Sequence, residues 1–323
     1  MKTILVSGAS GIVGYGVLKS LRAAPEACRL VGTTIHEDSV APAFCDVFER
    51  APRTNDPCYV EWLCNVIVRH KVDLAVPGIH DDMIAWNQAR QEISRTGVHL
   101  LLNSSELIDL CADKWTFYET LKAAKSRYLI ASRNTGGFAE LREAFGLPFL
   151  LKPRRGFASK GIAIIESEAQ FFEKAPDLGS QLMAQPIVGD KESEYTVSAF
   201  FDRESVLCCW MSLRRKLSKE GFTDRADVAE PPRMVDALRE LAGFLKPVGP
   251  TNFQFRVDQG ELRLLEVNPR ISSATSIRAA FGYNESVMAV DYFLKGERPV
   301  QPNLRRGSAV RYTEDYIFYE TDV

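Results

Sequence analysis

No apolar stretch in this chain approaches the ~20 residues that a membrane-spanning helix requires, so the sequence offers no candidate membrane helix. The first fourteen residues read as a strand and a glycine turn, not as a cleavable signal. Charge of one sign is also lacking. Forty basic residues face forty-two acidic ones, for a formal net charge of -2. That balance excludes the global basic field that draws nucleic acid or an anionic membrane, so any phosphate site must be local. The seven cysteines are odd in number and scattered, and the adjacent Cys208 and Cys209 lack zinc-type or C-x-x-C spacing. A disulfide framework is thereby excluded, and reduced thiols in a cytoplasmic protein are expected. Internal repeats and low-complexity segments are absent too, which removes repeat architectures from consideration.

What is present is an ordinary globular composition, 46% apolar and 25% charged, in 323 residues, enough for two or three packed units. Residues 3–7 form a short apolar run, followed by a glycine turn and the helical spacing of Val13, Val17, Leu18 and Leu21. Further apolar runs at 30–34, 74–77 and 98–102 alternate with helical stretches such as 59–70 and 83–94. That rhythm predicts a parallel sheet with helices on both faces. After about residue 105 a helix at 113–124 leads into hairpin-like strands, including 252–257 and 262–267. A helix is expected at 284–294 and a closing strand at 309–319.

Three places carry chemistry. Lys152 ends an apolar strand and opens the loop Pro153, Arg154, Arg155, Gly156, Phe157, Ala158, Ser159, Lys160 and Gly161. Small residues let backbone N–H groups approach phosphate oxygens while the flanking cations offset their charge, which suits a triphosphate. A solvated basic hairpin loop is the plainer alternative. The second place is the strand ending Glu266, Val267, Asn268, Pro269 and Arg270. Side chains alternate along a strand, so Glu266 and Asn268 share a face, as do Asn252, Gln254 and Arg256 on the preceding strand. A three-residue connection would set Gln254 opposite Glu266 and gather oxygen ligands suited to Mg²⁺; a two-residue turn would pair Gln254 with Leu265 and spoil the cluster. Arg270 then stands where a transferring phosphoryl group needs a cation. The third place is Gln185, Pro186 and Ile187, followed by Glu192 and Glu194. An extended segment can present backbone groups to a purine, and a carboxylate can accept from both ribose hydroxyls. A charged surface turn competes with that reading.

Together these residues resemble the ATP-grasp superfamily, in particular the synthetase units of the carbamoyl phosphate synthetase large subunit and single-unit carboxylate–amine ligases. Leu-Lys-Pro with its glycine and serine loop, Gly-Pro-Thr-Asn-Phe-Gln-Phe and Leu-Glu-Val-Asn-Pro-Arg-Ile-Ser occur in the family's order, and Asp113-Lys114 opens the grasp. The resemblance implies an α/β fold: a Rossmann-like pre-ATP-grasp domain at 1–105, then an ATP-grasp fold of two α+β subdomains at 106–295. Residues 125–187 would be the lid and 296–323 a strand segment returning to the core. It further implies ATP and Mg²⁺ as cofactors. Lys114 and Lys152 would bind the phosphates, with Gly156, Ser159 and Gly161 in the loop above them. Gln185, Pro186 and Ile187 would form the adenine hinge, with Glu192 or Glu194 on the ribose. Gln254, Glu266 and Asn268 would hold the metal, and Arg270, Lys160 and Arg215 would act on the transferring phosphate or the substrate. The family's relatives often carry Glu where Gln185 stands, and another glycine where Ala158 stands.

The activity implied is ligation of a small-molecule carboxylate to an amine through an acyl phosphate, in the cytoplasm, with a homodimer as the candidate assembly and neither nucleic acid nor membrane as partner. A rival reading starts from Gly8, Gly11 and Gly14, which resemble the turn of short-chain dehydrogenases and epimerases, with Tyr118 and Lys122 as Y-x-x-x-K, Ser105 upstream, and Glu37 or Asp38 for the ribose. It leaves the Asn-Pro-Arg strand and the lysine–glycine loop unexplained. A nucleotide-binding regulator without turnover is the third reading. His80, Asp81 and Asp82, at the carboxyl end of a strand, could touch the substrate, although a capped helix start at Asp81 or Asp82 is the plainer account.

Overall fold

The computed structural model describes residues 1–156, 161–218 and 221–319. The chain folds as two compact units, one of Met1–Leu102 with Arg270–Val323, the other of Asn103–Pro269.

In the first unit, β1 (Thr3–Val6) is buried throughout and leads by the glycine turn into α1 (Ile12–Arg22). A Cβ on Gly14 would stand 2.2 Å from the Gly8 carbonyl oxygen. The close packing of helix against turn therefore accounts for that glycine without any dinucleotide. There follow β2 (Arg29–Thr34), β3 (Val47–Arg50), α2 (Tyr59–His70), β4 (Leu74–Val76), α3 (His80–Gln88), α4 (Arg90–Ser94) and β5 (His99–Leu100). The strands form one sheet in the order β3-β2-β1-β4-β5, every pair parallel, as the alternation of strand and helix predicts. Leu5, Val31, Leu63, Val66 and Trp86 fill its core. The helix expected at 83–94 starts earlier, at His80, and breaks at Ala89, whose φ of -95° and ψ of 16° leave the helical basin.

The second unit opens with α5 (Ser105–Ala112), capped by Ser104, and α6 (Lys114–Ala123), where the Asp113 carboxylate accepts from the Trp115 and Thr116 amides. Then come α7 (Phe138–Phe145), β6 (Phe149–Pro153), β7 (Ala163–Ile165), α8 (Glu168–Lys174) and β8 (Leu182–Pro186). The antiparallel sheet β7-β6-β8 buries Phe149, Leu151, Leu182 and Ala184 against Leu141 and Phe171 of the two helices. Period-two alternation sends Leu150, Lys152 and Gln185 to the opposite face.

A larger antiparallel sheet is built from β9 (Glu194–Phe201), β10 (Leu207–Leu217), β11 (Thr223–Val228), β12 (Gly249–Asp258) and β13 (Glu261–Asn268), with α9 (Met234–Leu245) between β11 and β12 in the chain. The strand order runs β13-β12-β9-β10-β11. One face, with Val197, Ala199, Phe201, Phe253 and Phe255, packs on Leu238 and Leu241 of α9 and on Phe117 and Leu121 of α6. Phe253 and Phe255 are fully buried, and each such side chain contributes roughly 2–3 kcal/mol of transfer free energy. The same alternation commits Glu194, Thr196, Gln254 and Arg256 to the other, polar face.

The closing segment of the first unit adds α10 (Thr275–Ala280) and α11 (Glu285–Val290), both packed on α1. Glu285 and Arg278 form a buried ion pair at 3.1 Å, and Arg278 also donates to Ser272 Oγ at 2.8 Å. The expected strand at 309–319 is only β14 (Ser308–Val310). Beyond it Tyr312, Tyr316, Phe318 and Tyr319 are exposed, so that stretch buries little that would hold it as a strand.

Candidate nucleotide and metal site

Lys152 is buried on the polar face of β6, and its Nζ donates to Gln185 Oε1 of β8 at 2.8 Å. The two stand diagonally across the strand pair, since Leu150 is the residue directly opposite Gln185. Gln185 Nε2 in turn donates to Ser132 Oγ at 3.0 Å. Ser132 escapes motif reading because its segment reaches β8 only through the bridge of Arg133 with Ala184. Met183, paired with Lys152, shares this face and is buried there. A neutral amide partner leaves the buried ammonium uncompensated. Burial, aided by the Lys114 charge and opposed by Glu266, lowers the Lys152 pKa to about 8. Lys114 Nζ donates to the Gly156 carbonyl at 2.8 Å, tying the start of α6 to the loop. Gly161, at the loop's far end, has φ +76°, and a Cβ there would lie 2.9 Å from Pro153 Cγ, so only glycine fits. Ser159 and Lys160 lie outside the described residues.

The β12–β13 hairpin corrects the expected geometry. Asp258 pairs with Glu261, so the turn has two residues, Gln259 and Gly260, at φ 51° and 82°, the positive pair a type I′ turn uses. Such a turn should have paired Gln254 with Leu265. Instead Phe255 pairs with Leu264 and Gln254 with Glu266, because a β-bulge takes up Leu265 between them. The bulge restores the polar register that the turn alone would lose.

Of the three expected metal ligands, Glu266 and Asn268 adjoin, with Asn268 Nδ2 donating to Glu266 Oε1 at 2.9 Å. Gln254 departs from expectation: although opposite Glu266, its Oε1 accepts from Arg215 Nη2 at 2.7 Å. One carboxylate beside two amides is a donor set that fits Mg²⁺, with Gln254 committed to Arg215 as it stands. Glu266 also lies close enough to Lys152 to act on its ionisation.

Glu192 and Glu194 differ in their surroundings. Glu194 is buried and held on both oxygens. Arg215 donates to Oε1 at 2.9 and 3.1 Å, and Arg256 to Oε2 at 3.0 and 3.2 Å. Its carboxylate thus anchors two cations. Glu192 is exposed, with only Lys216 at 3.8 Å as an ion-pair partner among the described residues. Arg214, Arg215 and Lys216 all lie within β10. Arg214 and Lys216 point outward, Arg214 pairing with Asp227 at 3.0 Å, whereas Arg215 points inward. Pro186, the last residue of β8, is half-buried, and Ile187 after it is exposed. Arg270, which opens the closing segment of the first unit, donates from Nη1 to the Ile271 carbonyl at 2.9 Å.

The rival features fare differently. Asp82 neither caps α3 nor faces solvent; it is buried and accepts from Thr54 Oγ1 at 2.6 Å and Tyr59 Oη at 2.7 Å. Asp81 is exposed in the first turn of α3, and no side chain caps that helix. Tyr118 and Lys122 lie on α6 of the second unit, while the glycine turn belongs to the first, and Glu37 is paired with Arg50 at 2.8 Å.

Comparison with known proteins bears on this geometry. Residues 180–316 match the family described as ATP-grasp in the biosynthetic pathway with Ter operon. The carbamoyl phosphate synthase arginine-specific large chain of Bacillus subtilis is 26% identical over 238 residues, covering 69% of this chain but 22% of that protein. Among solved structures, the N5-carboxyaminoimidazole synthetase of Staphylococcus aureus, complexed with ADP, superposes with a TM-score of 0.74 at 17% identity, over 94% of this chain and 80% of that one. The biotin carboxylase domain of the Hydrogenobacter thermophilus 2-oxoglutarate carboxylase, in complex with MgADP, ADP and bicarbonate, gives 0.70 at 14% identity, over 95% and 73%. The chain is thus similar in sequence to carbamoyl phosphate synthase large chains and, across residues 180–316, to the ATP-grasp family described with the Ter operon, and it shares the fold of the two ADP-bound structures.

Proposed function

We propose that this chain is an ATP- and Mg²⁺-dependent ligase that activates a small-molecule carboxylate as an acyl phosphate and passes the acyl group to an amine, releasing ADP and phosphate. The observation that carries the reading is the convergence, within one unit, of Lys152 and Gln185 on one sheet with Glu266 and Asn268 on another, close enough for Glu266 to act on Lys152. A carboxylate is a poor electrophile because its leaving group would be oxide. Transfer of the γ-phosphoryl group supplies a good leaving group, which the amine then displaces. Donor and acceptor are both anionic, so positive charge must be concentrated where they meet.

In this reading Lys114 and Lys152 bind the phosphates, the end of β8 at Gln185, Pro186 and Ile187 receives the purine, and Glu192 accepts from the ribose. Glu266 and Asn268, with Gln254 beside them, would hold Mg²⁺, which when bound neutralises phosphate charge. Arg215, fixed by Glu194, orients Gln254, and Arg270 meets the transferring group. The first unit is read as the pre-ATP-grasp domain and residues 125–187 as the lid. The relatives act on small molecules, and no helix of the described residues is long and apolar enough to cross a membrane; the cytoplasm is the proposed compartment. An ADP-release screen over amino acids, dipeptides and sugar acids, each paired with amines, tests the assignment. Acceleration by one acid–amine pair is expected, and ATP binding without acceleration by any pair would count against turnover.

A further inference from the structure

Ser132 lies outside every strand and helix, yet the antiparallel bridge of Arg133 with Ala184 fixes its place. Arg133 N donates to the Ala184 carbonyl at 2.9 Å and Ala184 N to the Arg133 carbonyl at 2.7 Å. In an antiparallel pair the residue before Arg133 falls opposite the residue after Ala184, so Ser132 meets Gln185 on the face that carries Lys152.

A chain of hydrogen bonds then runs in one direction. Lys152 Nζ donates to Gln185 Oε1 at 2.8 Å, Gln185 Nε2 to Ser132 Oγ at 3.0 Å, and Ser132 Oγ to the Ile130 carbonyl at 3.0 Å. Both ends fix the amide between them. An ammonium group can only donate, so it requires the amide oxygen. The serine proton is spent on a backbone carbonyl, so the hydroxyl accepts and requires the amide nitrogen. Lys152, Gln185 and Ser132 are each more than nine-tenths buried, where a lost partner is not freely replaced by water. Gln185 gives the Lys152 side chain its one hydrogen bond among the described residues, which leaves two of the three ammonium N–H groups for an occupant. The amide thereby sets where those two point. A carboxylate at position 185 would also orient the lysine, but it would cancel the lysine's charge and have no hydrogen to give Ser132. The amide orients Lys152 and leaves its charge to act on an anion.

We propose that Ser132 is a positioning residue of the nucleotide site, which aims the Lys152 ammonium at the phosphates by fixing the Gln185 amide; this role rests on the ATP reading of Lys152. Calorimetric titration of ATP into the whole chain tests it through double-mutant cycles. Ser132→Ala should stay folded by circular dichroism and weaken ATP binding by roughly threefold to tenfold, the effect of one lost hydrogen bond. In the Lys152→Met and Gln185→Met backgrounds the same substitution should change affinity by less than about twofold, because the link it acts through is already cut. Ser132→Cys, which keeps the volume with a weaker acceptor, runs the same cycles if the alanine variant does not fold. Losses of equal size in all backgrounds would show a merely structural serine and overturn the proposal, as would unaltered affinity in the folded single variant. Wild-type protein that binds no ATP, or Lys152→Met that binds it as tightly as wild type, would instead overturn the nucleotide reading and this role with it.

Discussion

Lys152 shows how much of a site can be decided by one partner. Burial, with Lys114 nearby, holds its pKa near 8, while in the unfolded chain the same amine titrates near the ordinary lysine value of ~10.4. Between those values the unfolded state carries a proton that the folded state lacks, so stability should rise with pH through that window and be insensitive to this group below it. The melting temperature of the wild type should accordingly climb from pH 8 towards 10 relative to Lys152→Met. That variant should be more stable at pH 7, by up to about 3 kcal/mol, yet bind ATP more weakly. Parallel pH profiles of the two proteins would refute this account of the lysine. Glu266→Gln should fold normally but lose roughly two orders of magnitude in Mg²⁺-dependent ADP formation, because the neutral amide removes the metal's charge anchor; steady-state rates over a Mg²⁺ titration check it. That Lys152, Glu266 and Asn268 stand on polar strand faces was legible in the sequence, because side chains alternate along their strands. The difference in burial between Glu192 and Glu194 was not. It depends on Arg215 and Arg256, whose strands reach Glu194 only after the sheet has formed. Glu194→Gln should therefore destabilise the fold by roughly 3–5 kcal/mol, as stranded buried cations do. Glu192→Gln should leave denaturation midpoints unchanged and weaken ATP binding.

At the scale of the element, the β12–β13 hairpin carries the most information. Its two-residue turn and the bulge at Leu265 are separate devices whose effects combine to put Gln254 opposite Glu266. Deleting Leu265 should remove the bulge and close the ladder with Glu266 still opposite Gln254 on the polar face, because the two-residue turn already pairs Phe255 with Leu264. The deletion variant should therefore retain both its β-sheet signal by circular dichroism and measurable ADP formation; loss of turnover in a variant that keeps the sheet would contradict the register argument. Gln259, at φ 51°, occupies a left-handed conformation that asparagine tolerates better. Gln259→Asn should stabilise by roughly 0.5–1 kcal/mol in chemical denaturation without altering activity. The alternation of β12 and β13 made the polar and apolar faces readable in advance. The bulge was invisible because Leu265 is one more apolar residue in an apolar strand, distinguished only by what stands across from it.

For the molecule as a whole, the βαβ rhythm of the first hundred residues and the hairpins that follow were evident from periodicity alone. The association of the closing segment with the amino-terminal unit left no such trace, since α10 and α11 are short and their packing on α1 depends on shape. Arg278 and Glu285, buried as a pair beside Ser272, belong to no motif that the sequence displays. The whole-molecule claim is that one unit assembles phosphate-binding lysines and a carboxylate–amide metal site to make an acyl phosphate. Its most direct test is turnover of the carboxylate substrate with ATP and Mg²⁺ in the presence of hydroxylamine. The account predicts an acyl hydroxamate formed in step with ADP and absent in Glu266→Gln; release of phosphate with no hydroxamate would contradict it.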